Sequence, residues 1–178
     1  GIDATAMGFV LGTWQLVYIG MAFWCGALID RVGLRRALGA GLLLLALSAG
    51  LRAVAWNFAA LAFAVGLFGI GGPMISIGSS KLVASWFGGR QRGIAIGIAN
   101  TGPAVGSVII LAAANSVLVP LSGSWRGAVL APGLAALVMF VVWLLLARNV
   151  PRAETATPEA ARPGLFQTIG ELLRIRNV

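Results

Sequence analysis

Five long apolar runs constrain the fold of this chain more than any other feature of its sequence. Each run exceeds the roughly 18 residues that a helix needs to cross about 30 Å of hydrocarbon. Backbone groups in lipid must be hydrogen-bonded within the protein, so each run predicts a transmembrane helix. Because the runs are continuous and show no period-2 alternation, they disfavour a β-barrel. The predicted spans cover residues 4–29, 37–56, 58–80, 93–119 and 127–147.

Composition supports this prediction and excludes several other classes of protein. Hydrophobic residues make up 59% of the 178 residues and charged residues 10%, which is too apolar for a water-soluble core. The sequence therefore predicts an all-α polytopic membrane protein, built as a helical bundle. The net charge of +8 does not indicate nucleic-acid binding, because the basic residues lie between apolar spans. Histidine is absent and Cys25 is the sole cysteine, so we expect no catalytic site, no metal site and no cofactor.

Basic residues predict the orientation of the spans. Eleven lysines and arginines fall on one predicted side of the membrane, while Arg52 and Arg126 fall on the other. The positive-inside rule places the turn around Asp30, the loop at residues 87–92 and the C-terminal tail in the cytoplasm. We expect an integral protein of a bacterial inner (plasma) membrane.

The tail, residues 148–178, is predicted to be a cytoplasmic linker. Its first part, residues 148–164, is polar and rich in proline, as flexible linkers are. Apolar residues then recur at helical spacing over residues 165–173, which predicts an amphipathic helix on the membrane surface. The alternative is the start of a further span, and the two interpretations are compatible.

A charged turn, residues 26–36, joins the first two spans and reads Gly-Ala-Leu-Ile-Asp-Arg-Val-Gly-Leu-Arg-Arg. Asp30 lies at the C-terminal end of its predicted helix, where the helix dipole disfavours a negative charge. Asp30 therefore needs a compensating partner. Gly26 would let another backbone approach, and Gly33 would permit the tight turn. The candidate partners of Asp30 are Arg31, Arg35, Arg36 and the N-terminus of another helix.

This turn closely resembles the signature loop of the major facilitator superfamily, G-x-L-x-D-R-x-G-x-R-[RK]. In that family the loop joins the second and third of twelve helices, and its acid latches onto the C-terminal half. The resemblance implies a secondary transporter that works by alternating access. The five spans then correspond to helices two to six, without helix one and the C-terminal half. The implied partners are a small solute, a coupling ion, the lipid bilayer and that second half. The matching residues are Gly26, Leu28, Asp30, Arg31, Gly33, Arg35 and Arg36.

Two further segments support the resemblance. Residues 81–97 are similar to the W-F-x-x-R-x-R-G-x-A-x-G junction of many facilitator proteins, which places Arg90, Arg92 and Gly93 in the cytoplasmic loop between helices four and five. The two arginines would pair with lipid phosphates or with acids of a cytoplasmic gate. Residues 101–106 partly resemble the antiporter signature G-P-x-x-G, but Ser107 replaces a glycine, so antiport does not follow. The segment predicts a kinked helix between the two halves, at Gly102, Pro103 and Gly106.

The third span is unusually rich in glycine, with Pro73 in its middle. One interpretation is tight helix packing. The other is a bendable helix that lines a cavity, because proline removes a backbone hydrogen bond. The glycines are Gly66, Gly69, Gly71, Gly72 and Gly78.

Polarity and position predict the residues that line a solute pathway. Lys81 either extends to lipid headgroups or attracts an anionic solute near the inner mouth. Residues 69–87 look like the cyanate/nitroimidazole and nitrate/nitrite branches of the superfamily, which would make the solute a small anion. No acid lies inside any of the five spans, so an ion-coupling residue is not evident here. The predicted lining residues are Gln15, Tyr18, Ser76, Lys81, Asn100 and Thr101.

The sequence leaves two other functional classes open. A facilitator-like fold can act as a sensor or scaffold without transport, and the sequence does not separate this from a carrier. A membrane-embedded enzyme is disfavoured, because the sequence has no histidine, no buried acid pair and no HExxH-type motif.

Overall fold

A computed structural model describes residues 4–147 of the chain, and within this range all regular structure is helical. The prediction of an all-α polytopic fold is therefore confirmed. The predicted linker and amphipathic segment of residues 148–178 lie outside the described residues. The elements are α1 (Ala4–Val32), α2 (Leu34–Val54), α3 (Phe58–Trp86), α4 (Gly89–Ala113), a π-helical segment (Ala114–Leu118), α5 (Val119–Ser122) and α6 (Trp125–Leu146).

Within residues 4–147, five helical stretches are long and apolar enough to cross a membrane, judged by length and composition. The fourth of these stretches consists of α4, the π-helical segment and α5, which together form one run of 34 residues, Gly89–Ser122. At about 1.5 Å per residue this stretch is roughly 50 Å long, well beyond the thickness of the hydrocarbon core. It therefore tilts in a bilayer or extends into the headgroup region.

The helices continue past the apolar boundaries that the sequence suggests. α3 ends at Trp86 and α4 begins at Gly89, so Phe87 and Gly88 are the whole connection between them. The prediction that Arg90, Arg92 and Gly93 lie in a loop is therefore wrong, because they lie in the first turns of α4. Hydropathy changes where charged residues start, but lysine and arginine are good helix formers and do not end a helix.

Short caps and turns set the antiparallel order of the helices. Gly33 separates α1 from α2 with a φ of 90°, a conformation that other residues rarely adopt, as the tight-turn prediction requires. The Asn57 side chain accepts a hydrogen bond of 2.7 Å from the Ala60 N–H and caps α3. Ser124 caps α6 in the same way. These connections bring the C-terminal ends of α1, α3 and α6 and the N-terminal ends of α2 and α4 to one end of the bundle, called here the Asp30 end.

Helix α3 lies at the centre of the bundle, packed against both α1 and α2, while α6 packs on α2. Glycines in α3 make these approaches possible. A methyl group at Gly69 would lie 2.7 Å from the Trp14 carbonyl oxygen, and one at Gly71 would lie 3.0 Å from the Gly41 carbonyl oxygen. The close-packing interpretation of these α3 glycines therefore agrees with the structure. The core cluster joins three helices through Cys25, Ile29, Ala37 and Met74.

Helix α4 stands apart from this packed group. It touches the bundle mainly along α3, and none of its residues is buried among the described part of the chain. Pro103 lies inside α4, as Pro73 lies inside α3, and neither ends its helix. Between α3 and α4 an open groove remains at the Asp30 end.

Candidate functional site

Asp30 is paired with a residue that the sequence analysis did not consider as its partner. The Lys81 ammonium lies 2.7 Å from the Asp30 Oδ1 atom and also donates a hydrogen bond of 3.1 Å to the Gly26 carbonyl oxygen. Both acceptors belong to the last two turns of α1, where the helix dipole favours a cation. Lys81 therefore compensates both the acid and the C-terminus of α1.

This pairing revises the predicted roles of two residues. The expected partners of Asp30 were arginines of its own turn or a helix N-terminus, but the described contact is with the side chain of Lys81 on α3. Gly26 does not receive another backbone, since no described atom lies within 4 Å of the position of its missing Cβ. Its contribution is the carbonyl oxygen that Lys81 contacts. The sequence places both residues at the same end of the bundle, since Asp30 lies near the C-terminal end of α1 and Lys81 near that of α3. It does not show that the two side chains meet.

The three arginines of the turn do not act as a group. Arg31 and Arg36 are exposed. Arg35 points to α6, where its Nη2 atom donates a hydrogen bond of 3.1 Å to the Leu144 carbonyl oxygen. In return, the Trp143 indole N–H donates to the Arg35 carbonyl oxygen at 2.9 Å. We call this pair of hydrogen bonds the Arg35–Trp143 clasp.

The clasp joins the N-terminus of α2 to the C-terminus of α6 at the Asp30 end. The guanidinium satisfies a carbonyl group of the last turn of α6, which has no partner within its own helix. Gly39 leaves room for the aromatic rings of α6, with the Trp143 ring 3.5 Å from the position of a Cβ atom at Gly39. The sequence analysis missed Trp143 and Leu144, because they lie 108 and 109 residues from Arg35 in the chain.

The open groove between α3 and α4, called here the α3/α4 groove, has a volume of about 760 Å³. Its polar lining combines two cations with neutral hydrogen-bonding groups. Lys81 stands on the α3 wall and Arg92 on the α4 wall. The polar lining residues are Ser76, Ser80, Lys81, Ser85, Arg92 and Asn100.

Four of the six predicted lining residues lie in or next to this groove. Ser76, Lys81 and Asn100 line it, and the Tyr18 hydroxyl is hydrogen-bonded to the Ser76 hydroxyl at 2.7 Å. The Tyr18 ring packs against Gly72, whose missing side chain makes room for it. Gln15 and Thr101 are exposed and are not among the lining residues.

Serine hydroxyls in the groove are only partly engaged. The Ser80 hydroxyl donates to the Ser76 carbonyl oxygen at 3.0 Å, and the Ser85 hydroxyl donates to the Leu82 carbonyl oxygen at 2.6 Å. Each hydroxyl oxygen still has lone pairs that can accept a hydrogen bond from a solute. Such bonds to carbonyl groups of the same helix hold the side chains in place without using their acceptors.

The opposite end of the bundle carries a different arrangement of charge and aromatic rings. The Arg52 guanidinium lies 5.2 Å from the centre of the Phe68 ring, within the range of a cation–π interaction. Trp14 makes edge-to-face contacts with both Phe68 and Tyr18, at 5.9 and 6.1 Å between ring centres. These contacts therefore link Arg52, through Phe68 and Trp14, to Tyr18, whose hydroxyl is hydrogen-bonded to Ser76.

Comparison with known proteins identifies related sequences. The profile described as "Major Facilitator Superfamily" matches residues 1–178. The chain is similar to a protein named "Probable L-galactonate transporter" from Escherichia coli K12, with 29% identity over 164 residues, which is 90% of this chain and 35% of that protein. It is also similar to the "Hexuronate transporter" of Bacillus subtilis 168, with 27% identity over 85% of this chain and 35% of that protein.

A third relative, the "Hexuronate transporter" of Escherichia coli K12, is 24% identical over 83% of this chain and 34% of its own length. The chain therefore spans about a third of the length of the curated relatives it matches. Their names refer to sugar acids and do not support the cyanate/nitroimidazole or nitrate/nitrite branch. The prediction of a transporter family rather than an enzyme family is confirmed by the profile match and by these names.

Proposed function

The chain belongs to the Major Facilitator Superfamily, and from this premise we propose that it forms part of a secondary transporter for a small hydroxylated carboxylate. The observation that carries the proposal is the composition of the α3/α4 groove. Lys81 and Arg92 offer charge to a carboxylate, and Ser76, Ser80 and Asn100 offer hydrogen bonds to hydroxyl groups. Galactonates and hexuronates, the solutes in the names of the relatives, combine these two kinds of group.

The proposed mechanism is alternating access, with the turn around Asp30 as a gate latch. Two helical halves would rock around a central site, and Asp30 would hold the Asp30 end closed against the second half. The position of Asp30 supports this role. Its side chain is 51% exposed, and the ion pair with Lys81 uses the Oδ1 atom, so the carboxylate is accessible from outside this bundle.

We propose that the Asp30 end faces the cytoplasm of a bacterial cell. Lys81, Arg90 and Arg92 join the arginines of the turn at this end, whereas Arg52 and Arg126 lie toward the other. An excess of basic residues marks the cytoplasmic side of membrane proteins. The three relatives come from Escherichia coli and Bacillus subtilis, in keeping with a bacterial inner membrane.

Uptake into proteoliposomes tests this function. The full-length transporter that contains this chain is reconstituted, and uptake of L-galactonate and galacturonate is compared with that of galactitol, a neutral polyol, and of nitrate. We expect saturable uptake of at least one sugar acid and none of galactitol. Equal uptake of the acid and the neutral polyol, or uptake of nitrate alone, would contradict the proposal.

The latch is tested in the same preparation. Asp30→Asn removes the charge but not the hydropathy of the spans, so we expect normal membrane insertion with uptake reduced by about tenfold or more. Asp30→Glu is the matched control that keeps the charge and should retain part of the uptake. Normal uptake in Asp30→Asn would rule out the latch role while leaving the transporter assignment intact.

A further inference from the structure

Lys81 is the one described side chain that both forms an ion pair with Asp30 and lines the α3/α4 groove. Its ammonium contacts Asp30 Oδ1 at 2.7 Å and the Gly26 carbonyl oxygen at 3.1 Å. An ammonium group carries more donors than these two contacts use, and its side chain remains 35% exposed. A second carboxylate can therefore approach Lys81 from the groove.

We propose that the carboxylate of the solute displaces Asp30 from Lys81, so that binding of the solute breaks the ion pair between Asp30 and Lys81. This inference rests on the proposed function, because it assigns the partner exchange to the same solute. Asp30 and the solute carboxylate would compete for one cation. The exchange makes Lys81 the residue that links occupancy of the groove to the state of the gate.

Helix electrostatics explain why the exchange would matter for the gate. Asp30 lies in the last turn of α1, where the helix dipole disfavours a negative charge. Lys81 cancels this penalty while the pair is intact. Once the solute carboxylate holds Lys81, Asp30 loses that compensation and is driven to a different partner or to water. The solute thus changes the relative free energy of two arrangements of the gate, as coupling requires.

The surrounding cations support Lys81 as the exchanging residue. Arg35 is held by the Leu144 carbonyl group in the clasp, and Arg52 lies toward the opposite end over the Phe68 ring. Arg92 lines the groove from the α4 wall and adds a second cation to it. Lys81 is the described cation that the structure places against both the groove and Asp30.

The exchange makes a prediction that a simple latch does not make. If Asp30 competes with the solute, removing its charge frees Lys81 and tightens binding of the solute, even though transport is lost. We expect Asp30→Asn to lower the Kd for the sugar acid by about fivefold, in the usual range of coupling between sites. Lys81→Gln should raise that Kd by about tenfold or more and reduce the preference for the acid over galactitol.

Isothermal titration calorimetry on the purified full-length protein in detergent, with L-galactonate and with galacturonate as probes, tests the exchange. The double variant Asp30→Asn/Lys81→Gln should bind as weakly as Lys81→Gln alone, since Asp30 acts through Lys81. Lys81→Arg should restore a measurable preference for the acid. Arg126→Gln, which removes a cation from the opposite end, is the matched control and should leave the Kd unchanged.

The outcomes separate this inference from the proposed function. If the wild type binds no sugar acid, the proposed function and the exchange both fail. If the wild type binds and transports the acid but Asp30→Asn leaves its Kd unchanged, the exchange is wrong and the transporter assignment stands. An unchanged Kd in Lys81→Gln would also overturn the exchange. Thermal unfolding of each variant shows whether a weaker Kd reflects loss of fold.

Discussion

Helices α3 and α4 are similar in composition but differ in their surroundings. Each contains five glycines and one internal proline, and each is apolar enough to cross a membrane. In α3, Gly69, Gly71 and Gly78 face neighbours so close that a methyl group would lie within 3.0 Å of another atom. In α4, Gly97 and Gly106 have no described atom within 4 Å of that position.

The difference shows that glycine content alone does not decide how a membrane helix packs. α3 lies between α1 and α2, so its glycines become the points where helix backbones approach. α4 has the same residue types at similar density but touches the bundle along one side. The resemblance to the facilitator family implies that the α4 face at Gly102, Pro103 and Gly106 meets the second half of a transporter, and this stays a prediction.

Substitution of Gly69 should give the largest loss of stability and tests the comparison directly. In Gly69→Ala the new methyl group would lie 2.7 Å from the Trp14 carbonyl oxygen and 2.8 Å from the Val17 Cβ atom. Neither atom is the end of a flexible side chain, so α1 and α3 must separate. We expect a loss of about 2 kcal/mol, as overpacking costs in other cores, measured as the free energy of unfolding in detergent.

Gly97→Ala in α4 is the matched control for this substitution. With no described atom near the new methyl group, and because alanine favours a helix more than glycine does, its free energy of unfolding should be equal to or above that of the wild type. Similar losses in the two variants would show that the contrast between α3 and α4 is wrong.

Substitutions in the Arg35–Trp143 clasp should give the next largest loss of stability. The clasp attaches α6 to the packed group of α1, α2 and α3, from which α4 stands apart. Arg35→Gln and Trp143→Phe each remove one hydrogen bond, at 3.1 and 2.9 Å. We expect each to lower the free energy of unfolding by about 1 kcal/mol. Arg36→Gln, at the exposed neighbouring position, should leave stability unchanged. If Arg36→Gln costs as much as Arg35→Gln, the clasp does not hold α6.

Hydrogen bonds of two serines show the same contrast between packed helices and α4. The buried Ser48 hydroxyl on α2 donates to the Ala64 carbonyl oxygen on α3 at 2.6 Å, whereas the Ser107 hydroxyl donates to Ala104 of its own helix. Ser48→Ala should therefore cost about 0.6 kcal/mol, the average for such bonds between membrane helices. Ser107→Ala should cost less. A larger loss of stability in Ser107→Ala than in Ser48→Ala would contradict the contrast between α3 and α4.

The smallest loss of stability is expected at Gly106, on the face of α4 that the resemblance assigns to the second half of a transporter. Gly106→Ala should not lower the free energy of unfolding, because no described atom lies near the new methyl group and alanine favours a helix. If α4 faces the second half of a transporter, the same variant should still slow uptake. Wild-type uptake together with wild-type stability would remove the proposed interface at this position.

Most residues of the candidate site were predictable from the sequence, but the ion pair between Asp30 and Lys81 was not. The charged turn, Lys81 and the groove residues Ser76 and Asn100 stand out as polar groups at the edges of apolar runs. The candidate partners of Asp30 in the sequence were the arginines next to it along the chain and the N-terminus of another helix. The structure instead pairs Asp30 with Lys81, 51 residues away, and directs Arg35 to α6.

The sequence by itself determined that residues 4–147 form a bundle of five helices long and apolar enough to span a membrane, with most of their basic residues at one end. Lipid cannot satisfy backbone polar groups, so long apolar runs have one open-chain solution, and charges mark where those runs meet water. The tertiary structure decided which glycines receive a neighbour, which cation holds Asp30, and that Arg35 contacts α6. These contacts depend on how helices distant in the chain are rotated and spaced, and local hydropathy does not encode that geometry.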